Sequence, residues 1–170
     1  MFRSRVATTH GGCRRRSQRG AAAIEFALVL PILVIIVFGI IAFGIGFTQK
    51  QTLSSAVRDG ARFGSVGIYV AAAGTPRTCG DVIAKTRQNA STIGMTGSDV
   101  SVTVTRGGTS VCAATGATVT GSPGASPCAN ASPTDDLTVK AVFVGQLNVP
   151  LLMSKSVTMT SSGVYRCEYN

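Results

Sequence analysis

Glu25 is the residue whose placement calls for chemistry. It is the one charge in an apolar block that opens at Ala21 and runs to Phe47, five residues beyond a glycine, Gly20, that closes an arginine-rich leader. A carboxylate near the middle of a bilayer costs roughly 2.5–3.5 kcal/mol on insertion scales, so something has to offset it. One solution is shallow: Glu25 at the cytoplasmic interface, paired with Arg19. The other is a helix that leaves its lipid surroundings and packs against copies or relatives of itself. The small run Ala21-Ala22-Ala23 after the glycine, and Pro31 beyond it, favour the second.

Other side chains with chemical capacity are sparse. The single histidine, His10, lies in the leader, and no C-x-x-C pair or G-x-S-x-G turn occurs, so no metal site, no cofactor and no enzyme activity are expected. Asp135-Asp136 is a carboxylate pair, but neighbours on a strand point to opposite faces; they read as the solvated start of a strand. Of five cysteines, Cys13 precedes the apolar block and Cys79, Cys112, Cys128 and Cys167 follow it. Four cysteines in an exported domain read as two disulfides. Cys112 with Cys128 is favoured, a short loop contributing about 3 kcal/mol, leaving Cys79 with Cys167.

The elements that position Glu25 begin with topology. Arg3, Arg5, Arg14, Arg15, Arg16 and Arg19 precede Gly20 with no acidic residue among them, so six of the nine net positive charges sit in the leader. Placed before an apolar span, they hold that end in the cytoplasm. Without interleaved aromatics they do not make a nucleic-acid arm, and the apolar residues that should follow a twin-arginine export pair are missing. From Phe26 to Phe47 there are 22 uncharged residues, enough at 1.5 Å each to cross a hydrocarbon core of about 30 Å. The block is too long for a cleaved secretory signal and has no small-x-small site after it. The expected organisation is a basic cytoplasmic leader, 1–20, without ordered structure; a transmembrane helix, 21–47; and an exported domain, 48–170.

The helical period outlasts the apolar block. Leu53, Val57, Ala61 (or Gly60) and Gly64 recur every three to four residues, with Arg58 and Arg62 on another face. This predicts one helix from about Ala21 to Phe63, half in lipid and half amphipathic, bent at Pro31, which lacks an N–H. Gly39, Gly44 and Gly46 leave part of its surface small enough for a close neighbour in lipid. Ile68–Gly74 is small and apolar and is broken by Thr75-Pro76. Asp81 is the expected N-cap of a second helix, Val82 to about Thr92, with Val82, Ile83, Thr86, Ala90 and Ile93 on one side. Strands follow at 99–105 (Val100, Val102 and Val104 inward), at 137–144 (Leu137, Val139, Ala141 and Phe143 inward) and at 156–165 (Val157, Met159 and later Val164). Residues 107–134, rich in Gly, Ser, Thr, Ala and Pro, read as a flexible exposed loop. The fold class is α+β: a long N-terminal helix packed on a small antiparallel sheet, with a second short helix.

The stretch Arg19-Gly20-Ala21-Ala22-Ala23-Ile24-Glu25-Phe26-Ala27-Leu28-Val29-Leu30-Pro31, carried on to Gly60-Ala61-Arg62, resembles the leader junction of class III prepilins. Within that group it is similar to the TadE-like minor pseudopilins of the tight-adherence (Flp pilus) machinery. The resemblance covers about residues 18–63; beyond it only the general plan and the Arg166-Cys167-Glu168 ending agree. It implies that a membrane aspartyl prepilin peptidase cuts between Gly20 and Ala21. It also implies that Glu25 holds the family's glutamate position, and that the chain works in pilus assembly or adhesion at the bacterial inner membrane, with other pilins and the assembly platform as partners. A free α-amine on Ala21, cationic with a pKa near 8, would then pair with Glu25 of a neighbouring subunit and set helix register. The competing reading is a signal-anchored exported binding domain, neither cut nor polymerised, that docks a partner through 107–134.

Overall fold

A computed structural model describes residues 15–66, 77–132, 134–149 and 153–168. The leader residues 1–14, with His10 and Cys13, and the run Ile68–Gly74 with Thr75-Pro76 lie outside the described residues.

Helix α1 spans Arg15–Ser65, 51 residues in one assignment that continues through Pro31. It starts six residues before the expected Ala21, so residues 15–20 are helical. The reason is cooperative: extending an existing helix costs no nucleation, and Arg and Gln are good helix formers. Its second half buries Leu53, Ala56, Val57 and Ala61, the face that the period predicted.

Helix α2 spans Cys79–Asn89. Its N-cap is Thr78, not Asp81. The Thr78 hydroxyl accepts from the Asp81 amide at 3.2 Å, and the Asp81 carboxylate accepts from the Thr78 amide at 2.9 Å. Asp81 is thus the third residue of a reciprocal capping box. The helix ends before Thr92, and Ile93 lies in a tight turn as an exposed residue instead of on the buried side; Val82, Ile83, Thr86 and Ala90 are buried as expected.

The box makes α2 pH-sensitive. Bonds from the Thr78 backbone N–H, then from its hydroxyl, hold the Asp81 carboxyl below the usual carboxylate range. A depressed folded pKa stabilises fully above the unfolded value and loses that stabilisation as pH falls through the folded value. Thr78→Ala is expected to cost about 1 kcal/mol in urea denaturation at neutral pH, and less in strong acid. An equal cost at both pH values would show that the box does not act through the ionised carboxylate.

Five strands form one sheet: β1 Ser101–Arg106, β2 Thr109–Thr115, β3 Thr118–Gly121, β4 Asp136–Val149 and β5 Met153–Arg166. Their order is β3-β2-β1-β4-β5, with every neighbouring pair antiparallel. The expected strands are present. The expected loop at 107–134 is not a loop throughout, because β2 and β3 occupy its first half. Gly107 and Gly108, both at positive φ, make the two-residue turn that starts β2. The inner face carries Val102, Val104, Leu137, Val139, Ala141, Phe143 and Met159, all buried, under α1 and α2. Val164 falls on the outer face, half exposed, because strand alternation turns Gly163 inward instead.

The cysteines pair as Cys79–Cys112 and Cys128–Cys167, with Cα separations of 6.3 and 5.7 Å. This overturns the favoured pairing of Cys112 with Cys128. That pairing assumed free chain between them, whereas β2 sets Cys112 on the buried face beside the start of α2. There the Cys79 amide donates to the Ala125 carbonyl at 2.7 Å. The other pair joins the 122–132 segment to the end of β5, where the Cys167 amide reaches the Asp135 carbonyl at 3.1 Å. With sequence separations of 33 and 39, each bridge contributes about 4 kcal/mol in the chain-entropy model. Asp136 lies 4.0 Å from Arg166, both exposed, so this pair contributes little; Asp135 precedes β4, is half-buried, and its carboxylate accepts from the Ser132 amide at 3.0 Å, so it caps a turn instead of standing solvated at a strand start.

Candidate processing and assembly site

The junction lies wholly on the first third of α1. Gly20, Ala21, Glu25 and Pro31 are all exposed, and no described side chain pairs with Glu25. From Phe26, 64% exposed, to Phe43, 74% exposed, the apolar residues face outward. None of the most apolar stretch of this helix is buried within the molecule, and it is long and apolar enough to cross a membrane. The fold therefore presents this surface to something outside itself. Ala21 and Glu25, four residues apart, lie on one face about 6 Å along the axis.

The glycines of α1 divide by what surrounds them. At Gly60 a Cβ would collide with the Thr86 side chain, whose hydroxyl donates to the Val82 carbonyl at 2.7 Å, so α1 and α2 meet there at glycine contact. At Gly64 a Cβ would lie 2.7 Å from Leu137 and 2.8 Å from Val82. At Gly20, Gly39 and Gly44 nothing lies within 4 Å of the Cβ position. Each glycine in a helix costs about 1 kcal/mol against alanine. Packing accounts for that cost at Gly60 and Gly64; at Gly20, Gly39 and Gly44 no neighbour among the described residues accounts for it.

Several residues that hold α1 on the sheet escaped the sequence reading. Gln49 is buried and its amide donates to the Ile93 carbonyl at 3.0 Å. The Lys50 ammonium donates to the Thr160 carbonyl. Arg77 closes the other end: its guanidinium donates to the carbonyls of Phe63, 2.7 Å, and Val66, 3.0 Å, and lies 4.0 Å over the Phe63 ring. A cation there satisfies terminal carbonyls and complements the helix dipole. The one available signal was a lone arginine after a break in a small apolar run. The four cysteines are brought together in two pairs, but none lies at the junction, and no group of three metal-ligating side chains occurs among the described residues.

No curated protein and no solved structure matches the chain. The C-terminal domain beyond Arg62 lies outside any family match found. The N-terminal helix does not: residues 20–62, from the junction glycine to Arg62, match the family model described as TadE-like protein.

Proposed function

We propose that the chain is a minor pilin or pseudopilin of a tight-adherence (Flp) type IVb-like pilus. It inserts in the bacterial inner membrane with its basic leader inside and its disulfide-bonded domain outside. A prepilin peptidase then hydrolyses the Gly20–Ala21 bond, and the exposed helix joins those of other pilins or of the assembly platform. Its own role is structural and the peptidase supplies the chemistry. The observation that carries this reading is the TadE-like match, which begins at Gly20, a glycine with no packing partner among the described residues. A bend at Pro31, where the helix lacks one backbone hydrogen bond, would let the membrane half lean against its neighbours.

Intact-mass measurement of the protein from native membranes tests it. Loss of residues 1–20, leaving Ala21 as the N-terminus, is the expected result, and a strain without the peptidase should retain them. Retention of Met1–Gly20 in the mature species of a peptidase-bearing strain would leave the plain signal-anchored domain as the correct reading.

A further inference from the structure

The face of α1 that packs on the sheet reaches back into the apolar run. Ala42 and Gly46 are half-buried and Gln49 and Leu53 buried, at i, i+4, i+7 and i+11 along one side of the helix. Opposite them stand Gly145 and Gln146 of β4 and Met159 of β5, which line one cavity with Ala42, Ile45, Gly46 and Gln49. A Cβ on Gly145 would lie 3.3 Å from the Gln49 side-chain oxygen. On the other side of the helix Phe43 and Phe47 are exposed, their ring centroids 6.5 Å apart. The last six residues of the apolar run, 42–47, therefore belong to the packing of the C-terminal domain.

What packs there does not belong in hydrocarbon. Gly163 of β5 lies against Val57, the Lys50 ammonium donates to the Thr160 carbonyl, and Met159 lines the cavity beside Ala42 and Gln49. Read backwards, β5 thus runs along α1 toward the N-terminus of the helix. Ser156, which pairs with Gln146, and then Lys155 come next, all three exposed. On insertion scales one lysine outweighs several phenylalanines or isoleucines. The backbone gives the stronger argument. β5 is a terminal strand of the sheet, and β1 pairing with β4 stops at Ser101–Val142. The outer edge of β5, and the edge of β4 at 143–146, therefore have no strand partner among the described residues. Open sheet edges do not occur in hydrocarbon.

We infer that strands β4 and β5 act as a stop that fixes the depth of α1, so that the hydrocarbon of the bilayer ends just before Ala42 and not at Phe47. The inference rests on the reading that α1 is a membrane span. Gly20 to Ile41 is 22 residues, about 33 Å, which covers a core of about 30 Å. Arg19 is the first charge beyond one end and Lys155 stands beside the other. Moving the boundary from Phe47 to Ala42 shifts the span by about 9 Å along the helix. A 30 Å core ending at Phe47 would leave Glu25 about 4 Å outside the hydrocarbon on the cytoplasmic side, and the Gly20–Ala21 bond about 11 Å outside. Ending before Ala42, it places Glu25 about 5 Å inside and that bond at the boundary itself. The packing of the C-terminal domain at one end of the span thereby submerges the carboxylate at the other.

The chain contains no tryptophan, so Leu30→Trp, Phe38→Trp and Phe43→Trp each supply a single reporter at an exposed position of α1, with Thr120→Trp on the edge strand β3 as the reference in water. The full-length, uncut chain is reconstituted at high lipid-to-protein ratio in vesicles of phosphatidylcholine and phosphatidylglycerol whose acyl chains carry bromine at shallow or deep positions, so the result is independent of processing. With the boundary before Ala42, position 30 lies about 2 Å from the bilayer centre and position 38 about 5 Å inside the hydrocarbon. Several-fold stronger quenching of Leu30→Trp than of Phe38→Trp by deep bromine is expected, with Phe38→Trp quenched by shallow bromine and Phe43→Trp red-shifted from both. The opposite order, Phe38→Trp deepest and Phe43→Trp blue-shifted and quenched by shallow bromine, overturns the inference while the span stands. Emission at 30 and 38 like that at 120, unquenched by either lipid, removes the span itself and the inference with it.

Discussion

Replacing Glu25 by alanine is expected to leave cutting after Gly20 at the wild-type level and to lower assembly with other pilins by a factor of about 100 to 4000. The magnitude follows from what remains. On the proposed function, cutting would leave a cationic Ala21 amine that enters a helix bundle in lipid, and without Glu25 it would be a buried charge with no counter-ion. Breaking such a pair costs roughly 3–5 kcal/mol, and each 1.4 kcal/mol is tenfold in an equilibrium. Cutting is spared because the peptidase acts at Gly20, five residues upstream. Glu25→Gln, which keeps the shape and removes the charge, should behave as Glu25→Ala does. Immunoblots of sheared surface pili, beside intact mass from the membrane, read both quantities. Wild-type incorporation of Glu25→Ala would show that the Ala21 amine needs no carboxylate at position 25, in its own helix or in a neighbour's, to enter the assembly.

The TadE-like stretch was legible because a carboxylate in an apolar block has no neighbours to blur it, and a glycine between arginines and alanines is conspicuous. The amphipathic half of α1 was legible for a related reason: Leu53, Val57 and Ala61 keep a helical period among polar residues, and the structure buries all three. Val102 and Val104, and Leu137 to Phe143, alternate cleanly and lie in strands, with Val100 buried just ahead of β1. The structure hid what composition disguises. Strand β3, Thr118–Gly121, is exposed throughout, so no buried residue marks its period. β2 buries only Cys112 and Ala114, too small a signal among glycines and threonines. Missing those strands led directly to the wrong disulfide pairing, since connectivity depends on where β2 carries Cys112. Asp81 looked like a cap because aspartate is a good one; Thr78 three residues earlier completes a two-way box that a one-residue rule overlooks. Glycine was the hardest residue to read. Gly60 has no side chain to signal a contact, yet α2 meets α1 there through Thr86.

That division of the glycines makes a contrast that two substitutions expose. Gly163→Val is expected to destabilise the C-terminal domain by about 3 kcal/mol or more, read as a lowered urea midpoint of the full chain in micelles. A Cβ there would lie 2.5 Å from the Val57 carbonyl oxygen and 2.9 Å from the Arg58 nitrogen. These are backbone atoms of α1, which cannot turn aside as a side chain can, so α1 must lift off β5. Lifting it strains the Lys50 bond to Thr160 and uncovers Val57 and its buried neighbours. Gly39→Val, in the same helix but with open space at its Cβ position, should leave the urea midpoint within error and instead weaken association with other pilin helices, because a bulky residue keeps a second helix at a distance. One substitution thus tests the contact the fold makes with itself, and the other a contact that the fold leaves for a partner. An unchanged midpoint for Gly163→Val would mean that α1 does not press on β5. If Gly39→Val lowered the midpoint as much as Gly163→Val, the apolar half of α1 would be a packed element of the domain, and its exposed surface could not be the one that assembles.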